Sequence, residues 1–456
     1  MKTHENHQQL ELFKAFKPIS LTFCQTKFTF IDLFAGIGGF RIPLEQLGGK
    51  CLGYSEIDTE AIKVYQKNFI SYCNSEEINL GDLTRITNLP DKIDLLVGGV
   101  PCQPWSIAGK LKGFEDPRGK LWFDVIRLVK NHQPKAFIFE NVKGLTEPRN
   151  KVSFESIINQ LEASGYWVTY AILNSYDFGL PQDRDRVFII GINKIIENYA
   201  NFSFPKPLAN TPKLYQIIPG ISQQKLNKKK FDPDILFEGK IPVSRGRFQK
   251  IDELNDFFMF SDIRDGHTTI HSWDLIRTTE REKKICQIIL RNRRKKKYGD
   301  KDGNPLTLEI LRELITNLQE NELEKLIKKK ILKTVKDQGY DFVNSKISSG
   351  INGVSKIFLP HSDVLATLTA TGTRDYIATQ SFTCQDHKIY KENFIQEIYF
   401  KKKYKPLSSR DYAKLQGFPD WFILADNENT AKKQLGNAVS VPVVYHLTKS
   451  LLKTIL

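Results

Sequence analysis

Residues 28–40 read FTFIDLFAGIGGF, an apolar run that ends in a glycine-rich loop. Residues 28–34 predict a buried strand, because short continuous apolar segments bounded by glycine are typical of strands inside a sheet. The glycines that follow remove side chains at the strand-to-helix turn, so the backbone can approach a ligand closely. Taken alone, this loop fits a dinucleotide site and a tight turn with no ligand equally well.

Two further apolar runs end in chemically useful residues. Residues 93–99, IDLLVGG, lead through a valine into Pro101 and Cys102, and residues 136–139, AFIF, lead into Glu140. The carboxyl ends of strands in an open parallel sheet converge on one crevice, so a glycine loop, a cysteine and an acid are expected to meet there. A cysteine after a diglycine strand end differs from an ordinary core cysteine, which packs as a small inert side chain.

Short apolar runs alternate with helical stretches from residue 28 to about residue 205. This order predicts an α/β domain with a parallel sheet covered on both faces. The predicted strands are residues 28–34, 50–54, 95–99, 137–139, 167–173 and 187–192. The proline-rich residues 205–214 then mark a domain boundary. Residues 441–456 have the pattern of one amphipathic helix, and residues 309–336 that of an amphipathic helix pair.

The composition indicates a globular protein that binds a polyanion. The 456 residues carry a formal net charge of +15, which makes nucleic acid the first expected partner and a solvated basic surface the alternative. The six cysteines form no CxxC pair and no zinc-ligand spacing, so we expect a reducing compartment and no metal site. The absence of a secretion signal and of a long apolar run predicts a cytoplasmic protein with no membrane association.

Six short segments carry a stronger signal when they are taken together. They are FIDLFAGIGGFR (30–41), PCQPWS (101–106), ENV (140–142), QDRDRVF (182–188), RDYAKLQGFP (410–419) and QLGNAVSVPVV (434–444). In this order and spacing they resemble the DNA (cytosine-5)-methyltransferase family of bacterial restriction-modification systems, and six motifs in register make coincidence improbable. The resemblance covers residues 28 to about 205 and 405–456, and it leaves the middle of the chain unmatched.

The resemblance implies a Rossmann-like α/β fold that uses S-adenosylmethionine as its cofactor. It divides the chain into an N-terminal extension (1–27), a catalytic cofactor-binding domain (28–205), a smaller, variable target-recognition domain (206–425) and a C-terminal segment (426–456) that returns to the catalytic domain. Without the resemblance, Glu56 and Asp82 would be interpreted as a surface acid and a turn acid. The implied cofactor pocket consists of Phe34, Ala35, Gly36, Ile37, Gly38, Gly39, Glu56, Ile57, Asp82, Leu83, Pro101, Asn437 and Val439.

The chemistry of cytosine methylation gives the predicted catalytic residues their roles. Carbon 5 of cytosine is a poor nucleophile, and a thiolate that adds to carbon 6 activates it. Cys102 is the expected thiolate, with Arg184 and Arg186 as the cations that favour its ionised form. Glu140 is expected to donate to ring nitrogen 3, and the two arginines, on one face of a strand, to hold the base oxygen and phosphates. A helix-capping Glu140 and a solvated strand at 182–186 are the alternatives.

Duplex DNA is the expected substrate. A base inside the stack cannot expose carbon 6 to a thiol, so the target cytosine must be flipped out, and residues 103–120 suit a mobile loop for this step. The basic run at 281–298 predicts phosphate contacts. Its expected contributors are Arg291, Arg293 and Arg294. Other predicted DNA contacts are Gln103, Ser106, Gln182, Thr367 and Arg374, and candidate base readers are Arg264, His267 and Arg374.

Other functions are weighed against this one. Methylation of tRNA by a family relative is the nearest alternative, but the long basic middle region favours DNA. An inactive DNA-binding regulator or a nicotinamide oxidoreductase would have no use for the predicted catalytic set. We expect a monomer that acts on double-stranded DNA and shares its target site with a cognate restriction endonuclease, without required contact between the two proteins.

Overall fold

A computed structural model gives the fold of this chain. It describes residues 26–70, 77–90, 92–101, 119–221, 271–301, 303–335, 338–343, 356–360, 364–370, 375–380, 382 and 387–456. The chain divides into two compact units. Unit 1 consists of Met1–Ile218, Val364–Thr373 and Ser408–Leu456, and unit 2 of Pro219–Asp363 and Arg374–Leu407. These bounds differ from the domain boundaries predicted at residues 205 and 425. The assignment of catalysis to one domain and of target recognition to the other stays a prediction.

Unit 1 is built on a seven-stranded sheet. The strands of the chain are β1 (Phe28–Leu33), β2 (Gly49–Ser55), β3 (Ile78–Asn79), β4 (Leu95–Gly99), β5 (Ala136–Val142), β6 (Tyr166–Asn174), β7 (Gln182–Asp183), β8 (Asp185–Asn193), β9 (Leu332–Val335), β10 (Gly339–Phe342), β11 (Lys356–Phe358), β12 (Leu365–Ala366), β13 (Asp375–Ala378) and β14 (Tyr404–Pro406). The order across the sheet is β3-β2-β1-β4-β5-β8-β6, and the first five strands are parallel. The predicted α/β fold is confirmed.

Strand β8 runs antiparallel to both of its neighbours, β5 and β6. The alternating pattern of the sequence predicts parallel pairing here. Only residues 175–184 join β6 to β8, whereas a crossover to a parallel partner needs about a dozen residues or more. The short connection therefore brings β8 back as a hairpin partner of β6.

Helices pack on both faces of this sheet. The α-helices of the chain are α1 (Arg41–Gln46), α2 (Thr59–Phe69), α3 (Leu121–His132), α4 (Lys151–Ala163), α5 (Leu214–Ile217), α6 (Glu280–Asn292), α7 (Leu308–Leu314), α8 (Glu320–Lys328), α9 (His387–Phe394), α10 (Ser409–Gln416), α11 (Glu428–Asn437) and α12 (Val441–Ile455). Alternate strand residues point to opposite faces. Phe137 and Phe139 therefore join a core with α3 and α4, while Ala136 and Ile138 join a core with α1 and α12.

Helix α12 completes the second of these cores. Leu447 and Leu451 are fully buried in the same cluster as Phe28 and Phe30 of β1. Pro442 is accommodated in the first turn, where backbone N–H groups have no partner within the helix. The amphipathic helix predicted at the end of the chain is confirmed, and it belongs to unit 1.

The strand order reverses between β1 and β4. From β1 the chain moves outward to β2 and β3, and it then returns to place β4 on the other side of β1. Loops that leave adjacent parallel strands at such a reversal diverge and open a crevice at the carboxyl ends of the strands. The glycine loop after Leu33 and the segment after Gly99 begin on the two sides of this crevice.

Unit 2 has hydrophobic cores of its own. One core joins α6, α7, α8 and the β9–β10 hairpin, and it buries Trp273, Ile285 and Leu332. A second cluster joins the sheet β11-β13-β14 to α9. The predicted helix pair is present as α7 and α8, but residues 332–335 form strand β9 and do not continue the second helix.

Arg293 lies in the core of unit 2, away from the exposed basic surface that the sequence predicts for it. Only 3% of its side chain is exposed, and its Nη2 lies 2.8 Å from Asp341 Oδ1. A Cβ on Gly303 would lie 2.5 Å from the same Nη2 atom, so glycine leaves room for the buried guanidinium. Arg293 is therefore committed to an internal ion pair and cannot serve as a phosphate contact. Residues 295–297, all lysine, are exposed.

Candidate active site

The glycine loop after β1 has a backbone that side chains rarely adopt. Phe34, Gly36 and Gly38 have φ angles of 55°, 56° and 87°. For Phe34 this left-handed conformation is strained, since positive φ is rare for a bulky residue. A Cβ on Gly38 would lie 2.2 Å from Cε2 of Phe69, so only glycine fits there. The loop therefore presents bare backbone at the edge of the crevice.

The Glu56 carboxylate holds this loop from the end of β2. Its Oε2 accepts a hydrogen bond from the Gly36 N–H at 2.8 Å. Its Oε1 accepts from the N–H groups of Ile57 and Asp58 at 2.7 and 2.8 Å. The Ile57 side chain is 69% exposed and offers an apolar surface next to this carboxylate.

Ser55 ties three strand ends together. The Ala35 N–H donates to its carbonyl oxygen at 3.0 Å, which joins the loop after β1 to the end of β2. Its own Oγ donates to the carbonyl oxygen of Gly81 at 2.7 Å, which joins β2 to the turn after β3. Predicted pocket residues from three separate parts of the sequence are thus held close together.

Asp82 stands at the third of these strand ends. It caps the short 3-10 helix Leu83–Arg85 and accepts from the Thr84 N–H at 3.0 Å and from Thr84 Oγ1 at 2.8 Å. The hydrogen bonds from Thr84 lower the pKa of Asp82, so the carboxylate is ionised at neutral pH. The first residue of the helix, Leu83, is buried.

The C-terminal part of unit 1 reaches the same glycine loop. A Cβ on Gly39 would lie 3.0 Å from Cγ1 of Val439, so Val439 packs directly on the loop backbone. Asn437 is the last residue of α11 and is exposed. Ala35 and Ile37 are buried beneath the loop surface, at 7% and 3% exposure.

Asp32 lies at the base of the glycine loop, two residues before Phe34. Its carboxyl group is fully buried, and neither oxygen has a hydrogen-bond partner among the described residues. Burial raises the pKa of Asp32 well above its usual range, an effect that Arg41 opposes and Glu56 reinforces. No role for this aspartate is predicted from the sequence.

Glu140 and Arg186 form an ion pair at the end of β5. Arg186 Nε lies 2.9 Å from Glu140 Oε1, and the two side chains are 16% and 11% exposed. The register of β4 and β5 sets Glu140 opposite Gly99. A Cβ on Gly99 would lie 3.7 Å from Glu140 Oε2. The carboxyl group therefore lies beside the last residue of β4, three positions before Cys102 in the sequence.

Asn141 holds the segment that leads toward the predicted nucleophile. Its Nδ2 donates to the carbonyl oxygen of Val100 at 3.2 Å in a buried contact. Pro101, the next residue, is half-buried. The following predicted residues lie outside the described residues: Cys102, Gln103, Ser106, Arg264, His267 and Arg374.

Gln182 and Arg184 are buried, with 0% and 1% of their surfaces exposed. Gln182 Nε2 donates to the carbonyl oxygen of Leu415 at 2.9 Å. Arg184 donates to the carbonyl oxygens of Leu368, Gly436 and Ala438 at 3.0, 3.3 and 2.8 Å. In this structure both side chains are therefore bound to backbone carbonyl groups inside unit 1, and their predicted contacts with DNA and the target base stay predictions.

Thr367 is half-buried, and its Oγ1 donates to the carbonyl oxygen of Asp183 at 2.5 Å. Two residues with no predicted role extend this polar network. Gln416 Nε2 donates to the carbonyl oxygen of Ala438 at 3.2 Å, and Ser440 Oγ donates to Gln416 Oε1 at 3.2 Å. Both lie inside the motifs RDYAKLQGFP and QLGNAVSVPVV, which is the one signal in the sequence that marks them.

Some features are absent from the part of the chain that the structure describes. It contains no group of three or more His, Cys, Asp or Glu side chains placed to hold a metal ion. None of its helices combines the length and the apolar character that crossing a membrane requires. The cysteines it describes, Cys51 and Cys286, are buried and free.

Comparison with known proteins adds to this geometry. The family model for C-5 cytosine-specific DNA methylase matches residues 28–453. The Type II methyltransferase M.HgiCII of Herpetosiphon aurantiacus is 47% identical over 426 residues, which cover 93% of this chain and 97% of that protein. The Type II methyltransferase M.HpaII of Haemophilus parainfluenzae is 30% identical, with 97% and 94% covered. M.BanI of Aneurinibacillus aneurinilyticus, also a Type II methyltransferase, is 34% identical, with 93% and 96% covered.

Two solved structures share the fold. The Entamoeba histolytica methyltransferase EhMeth matches with a TM-score of 0.51 at 15% identity, over 94% of this chain and 98% of that chain. A DNMT2 variant of Spodoptera frugiperda matches with a TM-score of 0.51 at 16% identity, over 93% and 100%. At such low identity the likeness concerns architecture alone.

Proposed function

This chain belongs to the C-5 cytosine-specific DNA methylase family, and from that premise we propose that it acts through a covalent adduct between Cys102 and a cytosine flipped out of duplex DNA. The chain is a DNA cytosine-5 methyltransferase that uses S-adenosylmethionine as its methyl donor. Two further points are proposed here. The target cytosine lies within a specific short duplex sequence, and named residues of this chain act on it.

The observation that carries the proposal is the pair of Glu140 and Arg186 beside the strand that leads to Cys102. Cytosine presents an acceptor at nitrogen 3, a donor at its exocyclic amine and an acceptor at oxygen 2. A protonated carboxyl group donates to the first and accepts from the second, while a guanidinium donates to the third. A carboxyl group and a guanidinium held 2.9 Å apart suit this edge of the base.

The proposed reaction begins when the Cys102 thiolate adds to carbon 6 of the cytosine. A C–S bond forms, and the electron pair of the ring double bond makes carbon 5 nucleophilic. Glu140 and Arg186 stabilise the charge that this addition places on the ring, through nitrogen 3 and oxygen 2. After carbon 5 has taken the methyl group, a base removes its proton, and elimination breaks the C–S bond and restores both the thiolate and the ring.

The residues around the glycine loop fit S-adenosylmethionine. The carboxylates of Glu56 and Asp82 are acceptors for ribose hydroxyls and an adenine amine, and the exposed Ile57 gives an apolar surface for the ring. When bound, the cofactor supplies an electrophilic methyl group. Leu83, Pro101, Asn437 and Val439 are proposed to complete this pocket.

DNA is the substrate, and we propose how the chain flips the target base and which residues contact the DNA. A stacked cytosine cannot present carbon 6, so we propose that residues 103–120 act during base flipping, with Gln103 and Ser106 against the DNA. Thr367 and Arg374 are proposed to contact the DNA near the recognition region. The names of the curated relatives support a role in a Type II restriction-modification system. There the chain would act as a monomer and share a site, without required contact, with a cognate restriction endonuclease.

Bisulfite sequencing of plasmid DNA from cells that express this chain tests the activity and reveals the target. We expect unconverted cytosine at one position of one short sequence, and complete conversion when Cys102→Ser replaces the wild type. Methylation of tRNA with an unmodified plasmid would contradict the choice of substrate.

A duplex with 5-fluorocytosine at that position tests the adduct. The fluorine cannot leave as a proton, so the wild type should become trapped on the DNA at Cys102. Cys286→Ala is the matched control, because it removes a thiol from the core of unit 2, and it should trap like the wild type. An adduct at any other cysteine would overturn the assignment of Cys102.

A further inference from the structure

Arg184 connects two segments that are far apart in the sequence. Its Nη1 donates to the carbonyl oxygen of Leu368, and its Nη2 donates to the carbonyl oxygens of Gly436 and Ala438. A guanidinium is a rigid planar fork of N–H donors, so a single arginine can hold carbonyl groups on two sides. Because Arg184 is 1% exposed, solvent does not compete for these hydrogen bonds.

The first segment, residues 364–370, is held mainly through its backbone. Strand β12 pairs with β7, and the Leu365 N–H donates at 2.8 Å to the carbonyl oxygen that precedes β7. The Leu368 N–H donates to Gln182 Oε1 at 3.1 Å. The two backbone polar groups of Leu368 thus bind Gln182 and Arg184, two positions apart. The chain passes from this segment into unit 2 at Arg374.

The second segment runs from Gly436 to Val439. A Cβ on Gly436 would lie 2.3 Å from the carbonyl carbon of Thr369, so the two backbones are in direct contact. Val439 packs on Gly39 of the glycine loop. Contacts therefore continue without a gap from residues 364–370, through Arg184 and Ala438, to the glycine loop.

We propose that Arg184 is a positioning residue that couples occupancy of the cofactor pocket to the order of residues 364–370. This inference rests on the proposed function, because it takes Gly39 and Val439 as part of the cofactor pocket. A cofactor that fixes Val439 also fixes the carbonyl oxygen of Ala438, and Arg184 transmits this restraint to Leu368. Coupling between two sites is reciprocal, so DNA that orders residues 364–370 strengthens cofactor binding by the same factor.

Hydrogen exchange of the full chain without DNA tests the coupling. The probe is S-adenosylhomocysteine, which binds without turnover, and its binding is first measured by calorimetry. The amides of Leu365 and Leu368 are both hydrogen-bonded, so their exchange reports opening of the segment. In the wild type, saturating probe should slow their exchange by a factor of about 5 or more, the lower end of ordinary coupling between sites.

Two variants should remove this protection and still bind the probe. Arg184→Lys keeps the charge but replaces the fork with a single ammonium group, which cannot reach carbonyl oxygens on both sides. Gly436→Ala leaves every side chain of the network in place and forces the backbone of Thr369 away. If one variant does not fold, the other carries the comparison. Arg149→Met is the control, because Arg149 lies at the surface in an ion pair with Glu147, and it should keep the full protection.

The outcomes separate this inference from the proposed function. A wild type that does not bind S-adenosylhomocysteine would overturn the cofactor pocket and the inference with it. Binding with unchanged exchange at residues 364–370 would overturn the inference and leave the proposed function standing. Equal protection in the wild type and in Arg184→Lys would show that the coupling does not pass through the guanidinium.

Discussion

Arg186 Nε lies 2.9 Å from Glu140 Oε1, across the antiparallel junction of β8 and β5. The arginine comes from β8, the strand that returns as a hairpin, whereas the glutamate lies on β5, which pairs in parallel with β4. The pair therefore fixes one carboxyl oxygen of Glu140 and leaves the other beside Gly99. The orientation of the predicted general acid depends on strand β8, for which the sequence pattern predicts the wrong direction.

Glu140→Gln should lower turnover by about two to four orders of magnitude, the usual scale for a positioned general acid. The amide keeps the shape of the side chain and can donate a hydrogen bond, but its N–H is far too weak an acid to protonate nitrogen 3. Transfer of labelled methyl groups measures the loss, and a gel-shift titration should show DNA binding close to that of the wild type. A variant that turns over at the wild-type rate would remove Glu140 from the mechanism.

Arg186→Lys should lower turnover by about ten- to a hundredfold with a smaller effect on DNA binding. A lysine supplies a point charge and cannot hold Glu140 and a base oxygen with the fixed geometry of a guanidinium. The matched control is Lys143→Met, which removes a cation that pairs with the neighbouring Asp185 at the surface. Exposed ion pairs contribute little, so this control should keep its activity. Equal losses in both variants would point to general destabilisation of the strand.

Replacing residues 295–297 with glutamine should weaken the binding of cognate and random duplexes about equally. The salt dependence should flatten by about 0.9 in the log–log slope for each lysine that contacts a phosphate. We expect these lysines to contact phosphates in the role that the sequence predicts for Arg293, because the Arg293 guanidinium is paired with Asp341. Changing three other exposed lysines of unit 2, Lys325, Lys328 and Lys333, alters the net charge equally and should leave most of the slope intact. A changed methylation site would show that residues 295–297 read bases.

Asp32→Asn should raise the urea midpoint of unit 1 at neutral pH, and the gain should shrink toward acid. Burial raises the pKa of Asp32, so the stability associated with its neutral form is complete below its unfolded pKa, near 4, and is lost as pH rises toward the folded pKa. Asparagine does not titrate. The advantage of the variant should therefore grow with pH, by at most about 1.4 kcal/mol for each unit.

Asp94→Asn is the control, because the pKa of Asp94 is shifted in the direction opposite to that of Asp32. Desolvation acts to raise the pKa of Asp94, but hydrogen bonds from Lys135 and Thr29 outweigh it and lower this pKa. The stability that this aspartate contributes is present above its unfolded pKa and is lost as pH falls through the folded one. The variant should therefore lose stability at neutral pH and approach the wild type in acid. Parallel behaviour of the two variants would refute a neutral Asp32.

Exchanging residues 219–363 and 374–407 for those of another family member should transfer sequence preference and keep the chemistry. These two stretches make up unit 2, while residues 364–373 belong to unit 1. A matched chimera that also exchanges 364–373 should keep turnover as well, because Gln182 and Arg184 bind the backbone of Leu368 and not its side chain. Bisulfite sequencing of plasmids gives both readouts. If the first chimera is active but still methylates the original site, the residues that read bases lie outside unit 2.

Local patterns predicted most of the sheet. The apolar runs that end at Gly99 and at Glu140 are strands, and the glycine loop stands where the strand order reverses. These features depend on alternation, on glycine and on chain order, which a sequence displays directly. The pairing of β8 was missed, although the ten residues between β6 and β8 are too few for a crossover helix.

Long-range partners could not be predicted in the same way. Arg184 binds carbonyl groups 184 and 252 residues away, and no local pattern reports which backbone will face a guanidinium. Strand alternation also does not report what covers a side chain: Gln182 and Arg184 are buried. The burial of Arg293 was missed for the same reason. It lies in a run of basic residues, which is typical of a solvated surface, and the sequence does not show that Asp341 pairs with it.

Unit 1 is assembled from stretches of the chain that leave the ribosome at very different times. Phe28 and Phe30 line a sheet face that α1 and α12 cover together, so the face is incompletely covered until α12 is made. At about 5–20 residues per second, translation from β1 to α12 takes about 20 to 80 s. During that interval the nascent protein carries an open apolar surface that chaperones can bind. That face is therefore fully buried only after α12 has emerged and packed against β1.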